Sequence, residues 1–152
     1  MLFRAIAKYP NNRDAVHLAI AGYRTPNTRI PNAENVHDLG LLASDDVPVL
    51  LNSLDLAVIY NRKSQFGDYC FPQKFYEFLA CQVPVIAANV GEMSLLLKDR
   101  SHLLYDDGDV ESLVSAIGQQ LAERELLDIE IPTWRDQAAL LQQLMESVLV
   151  DA

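Results

Sequence analysis

Three side chains in one short stretch have types and spacing that can do chemistry together. Gln73, Lys74 and Glu77 follow Pro72 in the run Phe71–Val85, FPQKFYEFLACQVPV. Proline suits the opening of a helix, where its missing N–H would have had no partner anyway, so the run predicts a helix over Gln73–Cys81. A helix N-terminus offers free N–H groups and the positive end of the peptide dipoles, which together suit a phosphate. Lys74, in the first turn, adds a full positive charge. Glu77 stands one turn later on the side of Gln73 and Lys74, and its carboxylate can accept two hydroxyls, as a ribose diol offers. One helix can thus hold a diphosphate at its tip and a ribose along its flank. The same i, i+3 spacing also fits an ordinary surface ion pair between Lys74 and Glu77, and spacing alone leaves both readings open.

Other chemistries are excluded by what the chain lacks. It has no G-x-x-x-x-G-K-[ST] phosphate loop and no G-x-G-x-x-G dinucleotide fingerprint. Cys70 and Cys81 form no Cys-x-x-Cys pair, which rules out a zinc ribbon. His17, His37 and His102 stand far apart without ligand-like spacing, so structural roles are expected for them and no metal site. A formal net charge of -9 argues against a general nucleic-acid binder, which needs a basic footprint. The N-terminal MLFRAIAKYP lacks the apolar core of a signal peptide, and no apolar run approaches a membrane span. Free thiols in a reducing cytosol are the expected setting.

The elements that must position this helix follow from hydrophobic patterning. The chain has 152 residues, the size of one domain, with 50% hydrophobic and 22% charged residues. Short apolar runs at Val16–Ala21, Val36–Gly40, Leu56–Tyr60, Pro84–Ala87 and His102–Tyr105 read as strands. Helices are expected over Leu2–Tyr9, ending at Pro10–Asn12, then after Asp45–Asp46, over Gln73–Cys81, over Glu92–Lys98, after Asp109, and from Thr133 to the end. Asn61–Cys70 reads as a polar loop and Arg124–Pro132 as a break. Asp136, three residues after Thr133, gives an approximate capping box. Strands alternating with helices or long connections predict an α/β fold: a Rossmann-like parallel sheet with helices on both faces. In such sheets ligands bind beyond the C-terminal ends of the strands, which is where the loop from Tyr60 to Pro72 lies.

The stretch FPQKFYEFLACQVPVIAANVG resembles the retaining GT-B glycosyltransferases of the group 1, or family four, type. Their pattern Pro-x-Lys-x-x-Glu-x-x-Ala-x-Gly-x-Pro-Val appears here as Pro72, Lys74, Glu77, Ala80, Gln82, Pro84 and Val85, followed by Gly91. The upstream VHDLGLLASDDVPVLLNSLDLAVIY and downstream LLYDDGDVESLVSAIGQQL are similar to further sections of that family, and Trp134 matches a Trp that often opens its final helix. The resemblance implies the C-terminal, nucleotide-sugar-binding half of a GT-B enzyme, spanning residues 1–152. It implies that Glu77 binds the ribose of a nucleoside-diphosphate sugar and that backbone groups around Phe71, Pro72 and Gln73 meet the diphosphate. Gly40, Leu41 and Leu42 would frame the base, mostly through main chain. The reaction implied is transfer of a sugar, of the hexosyltransferase kind, without metal or cofactor; no catalytic residue is assigned.

Three features depart from the family pattern. The carboxylate often found eight positions before the ribose Glu is Tyr69 here. The glycine expected at the helix end is Gln82, which leads one to expect a locally adjusted turn. The first strand of the resembled half, with the loop whose Arg and Lys hold the diphosphate, and the N-terminal Rossmann-like domain have no counterpart. The expectation is a domain inactive alone, whose sheet lacks a central strand and is covered by dimerisation or another contact. The alternative is a non-catalytic nucleotide- or partner-binding module on the same fold; a nucleotide-sugar epimerase relative is a third reading.

Overall fold

A computed structural model describes residues 1–9, 16–26 and 28–150. All strand pairings in it are parallel. Strand β1 (Leu18–Ala21) pairs with β2 (Val36–Gly40), and β3 (Ala57–Ile59), β4 (Val85–Ala88) and β5 (Leu104–Tyr105) pair in that order. The expected single sheet is therefore two small ones. The two sheets share no ladder, and β1, β2, β3 and β5 each keep one edge without a strand partner among the described residues.

Period-2 alternation along β3 and β4 builds two cores. Ala57, Ile59, Val85 and Ala87 face one way and pack with Leu51 of α2 (Asp46–Asn52), Phe75, Phe78 and Leu79 of α4 (Gln73–Ala80), and Met93 of α5 (Glu92–Leu96). Ile86 and Ala88 face the other way. They pack with Ala5 and Ile6 of α1 (Leu2–Ile6) and with Val110, Leu113 and Ile117 of α6 (Val110–Ala122). Leu18 of β1 and Val58 of β3 lean on this second cluster, so both sheet edges share it. Helices thus cover both faces, as expected. Burying a side chain as fully as Phe75, 0% exposed, stabilises by about 1.5–3 kcal/mol.

Local chemistry explains where elements start and stop. Asp109 caps α6, its carboxylate accepting from the Glu111 and Ser112 N–H groups at 2.8 and 3.2 Å. Asp45 precedes α2 without a side-chain cap bond. The expected stop at Pro10–Asn12 lies outside the described residues. The stretch expected to be a plain loop holds a short helix, α3 (Gln65–Tyr69), capped by Ser64, whose hydroxyl accepts from the Gly67 N–H at 3.0 Å.

Gln82 overturns one expectation. It sits at φ +53°, in the left-handed region, with no adjustment of the turn. The Val83 N–H donates to the Phe78 carbonyl at 3.0 Å and the Gln82 N–H to that of Leu79 at 2.9 Å. This is a Schellman ending to α4 with glutamine in the place glycine usually takes.

Candidate functional site

The loop from Tyr60 to Pro72 leaves the C-terminal end of β3 and is fixed from two sides. The Lys63 N–H donates to the Asp107 carboxylate beyond β5 at 2.9 Å. Gly91, in the turn after β4, presses on α3. Its φ is +56°, and a Cβ there would lie 2.7 Å from the Gly67 carbonyl oxygen and 2.8 Å from that of Asp68, so only glycine fits. Gly67 is equally constrained, since a Cβ would lie 2.0 Å from the Arg62 carbonyl oxygen. Next to β3, the Asn61 side-chain nitrogen is buried without a hydrogen-bond partner among the described residues, a donor at the strand ends that the sequence did not single out.

Helix α4 follows this loop. Its Phe75, Phe78 and Leu79 face the core, which turns Gln73, Glu77 and Ala80 outward at i, i+4 and i+7. These three, with Phe71 and Tyr76, form one wall of a groove of about 720 Å³. The Phe71 and Tyr76 rings stack with centroids 5.5 Å apart. The opposite wall is Ile131, Pro132, Trp134 and Gln137, at the start of α7 (Trp134–Val150).

That second wall is held by a clasp. Gln120, buried on α6, donates its amide to the Glu125 carbonyl at 2.8 Å and accepts from the Glu125 N–H at 3.0 Å. The Glu125 carboxylate also meets Arg100 at 3.1 Å and His102 at 2.6 Å. Leu127 and Ile129 then pack on the first core, and the chain returns over α4. Thr133 and Asp136 cap α7 reciprocally: the Thr133 N–H donates to the Asp136 carboxylate at 2.9 Å, and the Asp136 N–H to the Thr133 hydroxyl at 3.2 Å. The expected capping box therefore forms, with aspartate in the usual place of glutamate. The Thr133 hydroxyl and then its backbone N–H hold the Asp136 carboxyl below the ordinary carboxylate range.

Of the residues expected at the site, Phe71, Gln73 and Glu77 come together in the groove. Pro72 is buried behind them as the residue preceding α4. Lys74 does not line the groove; its ammonium donates to Glu77 at 3.2 Å, so the surface ion pair is present. Gly40, Leu41 and Leu42 lie at and beyond the end of β2, in the other sheet, and none lines the groove. Tyr69, at the position of the missing carboxylate, is 90% exposed at the end of α3 and also stands outside it. Sequence reasoning missed Tyr76 and Gln137. Tyr76 had a signal, standing i+3 from Gln73 on the same outer face.

Among the described residues no group of three or more His, Cys, Asp or Glu is placed to hold a metal ion, and no helix is long and apolar enough to cross a membrane. Cys70 and Cys81 are free thiols. What the groove brings together along the outer face of α4 is one carboxylate, two amides and an aromatic lining, with Lys74 adjacent at the tip of the same helix.

The profile of the family described as Glycosyl transferases group 1 matches residues 1–123. No curated protein and no solved structure matches the chain. The matched span holds both parallel sheets, their flanking helices and the whole α4 wall of the groove, in keeping with a Rossmann-like half of a GT-B fold. The chain belongs to the group 1 glycosyltransferases.

Proposed function

We propose that this chain is the donor-binding domain of its glycosyltransferase, taking a nucleoside-diphosphate sugar with its diphosphate at the tip of α4 and its ribose on Glu77. The observation that carries this reading is the convergence of Phe71, Gln73 and Glu77 on one groove along the outer face of α4, the helix that follows the loop leaving the C-terminal end of β3. Lys74 sits at the same helix tip. Its pair with Glu77 is exposed on both sides, and such pairs are worth about 0–1 kcal/mol. A ligand can therefore part them cheaply, drawing Lys74 to a phosphate and leaving Glu77 to accept ribose hydroxyls. Sugar transfer would rest on positioning and on stabilising the leaving diphosphate. A second Rossmann-like domain would bring the acceptor, so the chain alone is expected not to turn over.

Titration of UDP, GDP and ADP to millimolar concentration into the isotope-labelled chain tests the reading. Amide shifts are expected at Lys74–Glu77. Trp134, the single tryptophan, lines the same groove, so its fluorescence reports occupancy. Glu77→Gln should weaken binding by about ten- to a hundredfold, the value of hydrogen bonds to a charged group. Silence of these amides towards all three nucleotides would overturn the reading.

One observation favours a second reading, a module that binds nucleotide without transferring sugar. Tyr69 offers no carboxylate, is 90% exposed and stands outside the groove. Nucleotide binding without sugar discrimination, comparing UDP with UDP-sugars, would support this second reading; tighter binding of one sugar nucleotide would exclude it.

A further inference from the structure

His17 and His37 are 20 residues apart in sequence, yet His17 Nδ1 and His37 Nε2 lie 2.8 Å from each other. The ring centroids are 5.0 Å apart and the planes differ by 15°. That separation is close to the N···N distance plus one ring radius on each side, so the rings meet edge to edge through their nitrogens. Parallel register places Ala19 beside His37, and His17, two residues before Ala19, points to the same face. Both side chains are exposed. The backbone below them is fixed: the Leu18 N–H donates to the Asn35 carbonyl at 2.8 Å, and the Asn35 side chain donates to the Val16 carbonyl at 3.2 Å.

We propose that this pair is a two-imidazole site for a divalent transition-metal ion, with copper(II) and nickel(II) favoured over zinc. Metal–nitrogen bonds are about 2.0–2.1 Å long, so two nitrogens at right angles around an ion stand about 2.8–3.0 Å apart, whereas tetrahedral zinc spreads them to about 3.3–3.4 Å. The observed spacing is that of the N–H···N hydrogen bond in the metal-free pair, and it is also the separation that a right-angled copper or nickel arrangement requires. In the neutral pair one ring donates its N–H to the lone pair of the other. Moving that proton to the other nitrogen of the donor ring presents two lone pairs without net loss of charge. Each exposed ring must then swing by about 45° from the N···N line to aim its lone pair at the ion, and water completes its coordination.

The consequence is structural. A two-stranded sheet is marginal alone, and among the described residues β1–β2 has no ladder to the rest. An ion held by one histidine just before β1 and one within β2 clips the two strands together at the end remote from Gly22 and Gly40. Binding to the folded chain then stabilises it by mass action.

The test is titration of the chain with copper(II), nickel(II) and zinc(II), followed by calorimetry, thermal unfolding and copper electron paramagnetic resonance. One ion per chain is expected, bound most tightly as copper, with nitrogen hyperfine structure and a raised unfolding midpoint. His17→Ala and His37→Ala should each weaken copper binding about tenfold or more. His102→Ala should leave it unchanged. Because both rings are exposed, the variants should fold, which circular dichroism checks. Equal copper affinity in the wild type and both variants would overturn the proposal, as would an affinity order led by zinc.

Discussion

Tyr105, on β5, donates its hydroxyl to the backbone carbonyl of Ile59, on β3, at 2.9 Å, reaching past the intervening strand β4. Burial first, then Tyr60 and Asp107, pushes this phenol well above its ordinary pKa, so it remains a donor. The bond ties the last residue of β3 to the sheet at the point where the site loop departs. Tyr105→Phe keeps the ring and leaves a buried carbonyl without its partner. We expect a loss of about 1–2 kcal/mol, measured by urea unfolding with an unchanged slope. A loss much below that range would mean that the carbonyl finds another donor.

Gln82 gives a prediction of opposite sign. A non-glycine residue in the left-handed region carries a cost of about 1–2 kcal/mol, part of which glycine returns through its larger unfolded-state entropy. Gln82→Gly should therefore raise stability by up to about 1 kcal/mol and leave nucleotide binding unchanged, because Gln82 lies outside the groove with Glu77. Thermal unfolding beside a nucleotide titration checks both halves.

These two residues show what the sequence made legible. Apolar runs such as LAVIY and PVIA announced β3 and β4 because both faces of those strands are buried, and the apolar residues of VESLVSAIGQQL announced α6 by their helical spacing. Helix α3 was hidden because QFGDY has no apolar stripe; the Ser64 cap and the pressure of Gly91 on Gly67 define it instead. The α4 wall of the groove was legible, since Gln73, Glu77 and Ala80 recur at helical spacing. The other wall was not. It depends on Gln120 meeting the Glu125 backbone, a contact no periodicity encodes. Pairing of His17 with His37 likewise rests on the register of β1 against β2, which separates two local patterns by 20 residues.

The start of α7 should respond to acid. The Asp136 carboxyl is held below the ordinary range by Thr133. A group whose folded pKa is lowered contributes stability that is full above its unfolded pKa, about 3.9, and is lost as pH falls through the lower folded value. The cap should thus be intact at neutral pH and fail only in strong acid. A carboxyl-detected NMR titration should place the Asp136 midpoint below that of an ordinary aspartate. Thr133→Val, which removes the hydroxyl, should return it most of the way. A midpoint at the ordinary value in the wild type would show that the cap is not formed in solution.

The Gln120–Glu125 clasp makes the last prediction, because it links fold to site. Gln120→Ala removes two hydrogen bonds to the part-buried Glu125 backbone, which should cost about 1–3 kcal/mol. The Arg100 and His102 contacts of Glu125 are half-exposed and, at about 0–1 kcal/mol for such pairs, do not replace them. Freed at this point, residues 126–132 lose their fixed path over α4, and Trp134 loses its place opposite Glu77. Trp134 is already 80% exposed, so its emission maximum should move little. Its collisional quenching by acrylamide should rise, and the fluorescence response to nucleotide should fall. Glu77 itself stays on α4, so nucleotide-induced amide shifts at Lys74–Glu77 should persist. A variant that loses stability but keeps the full Trp134 response would show that the second wall is set by α7 itself and not by the clasp.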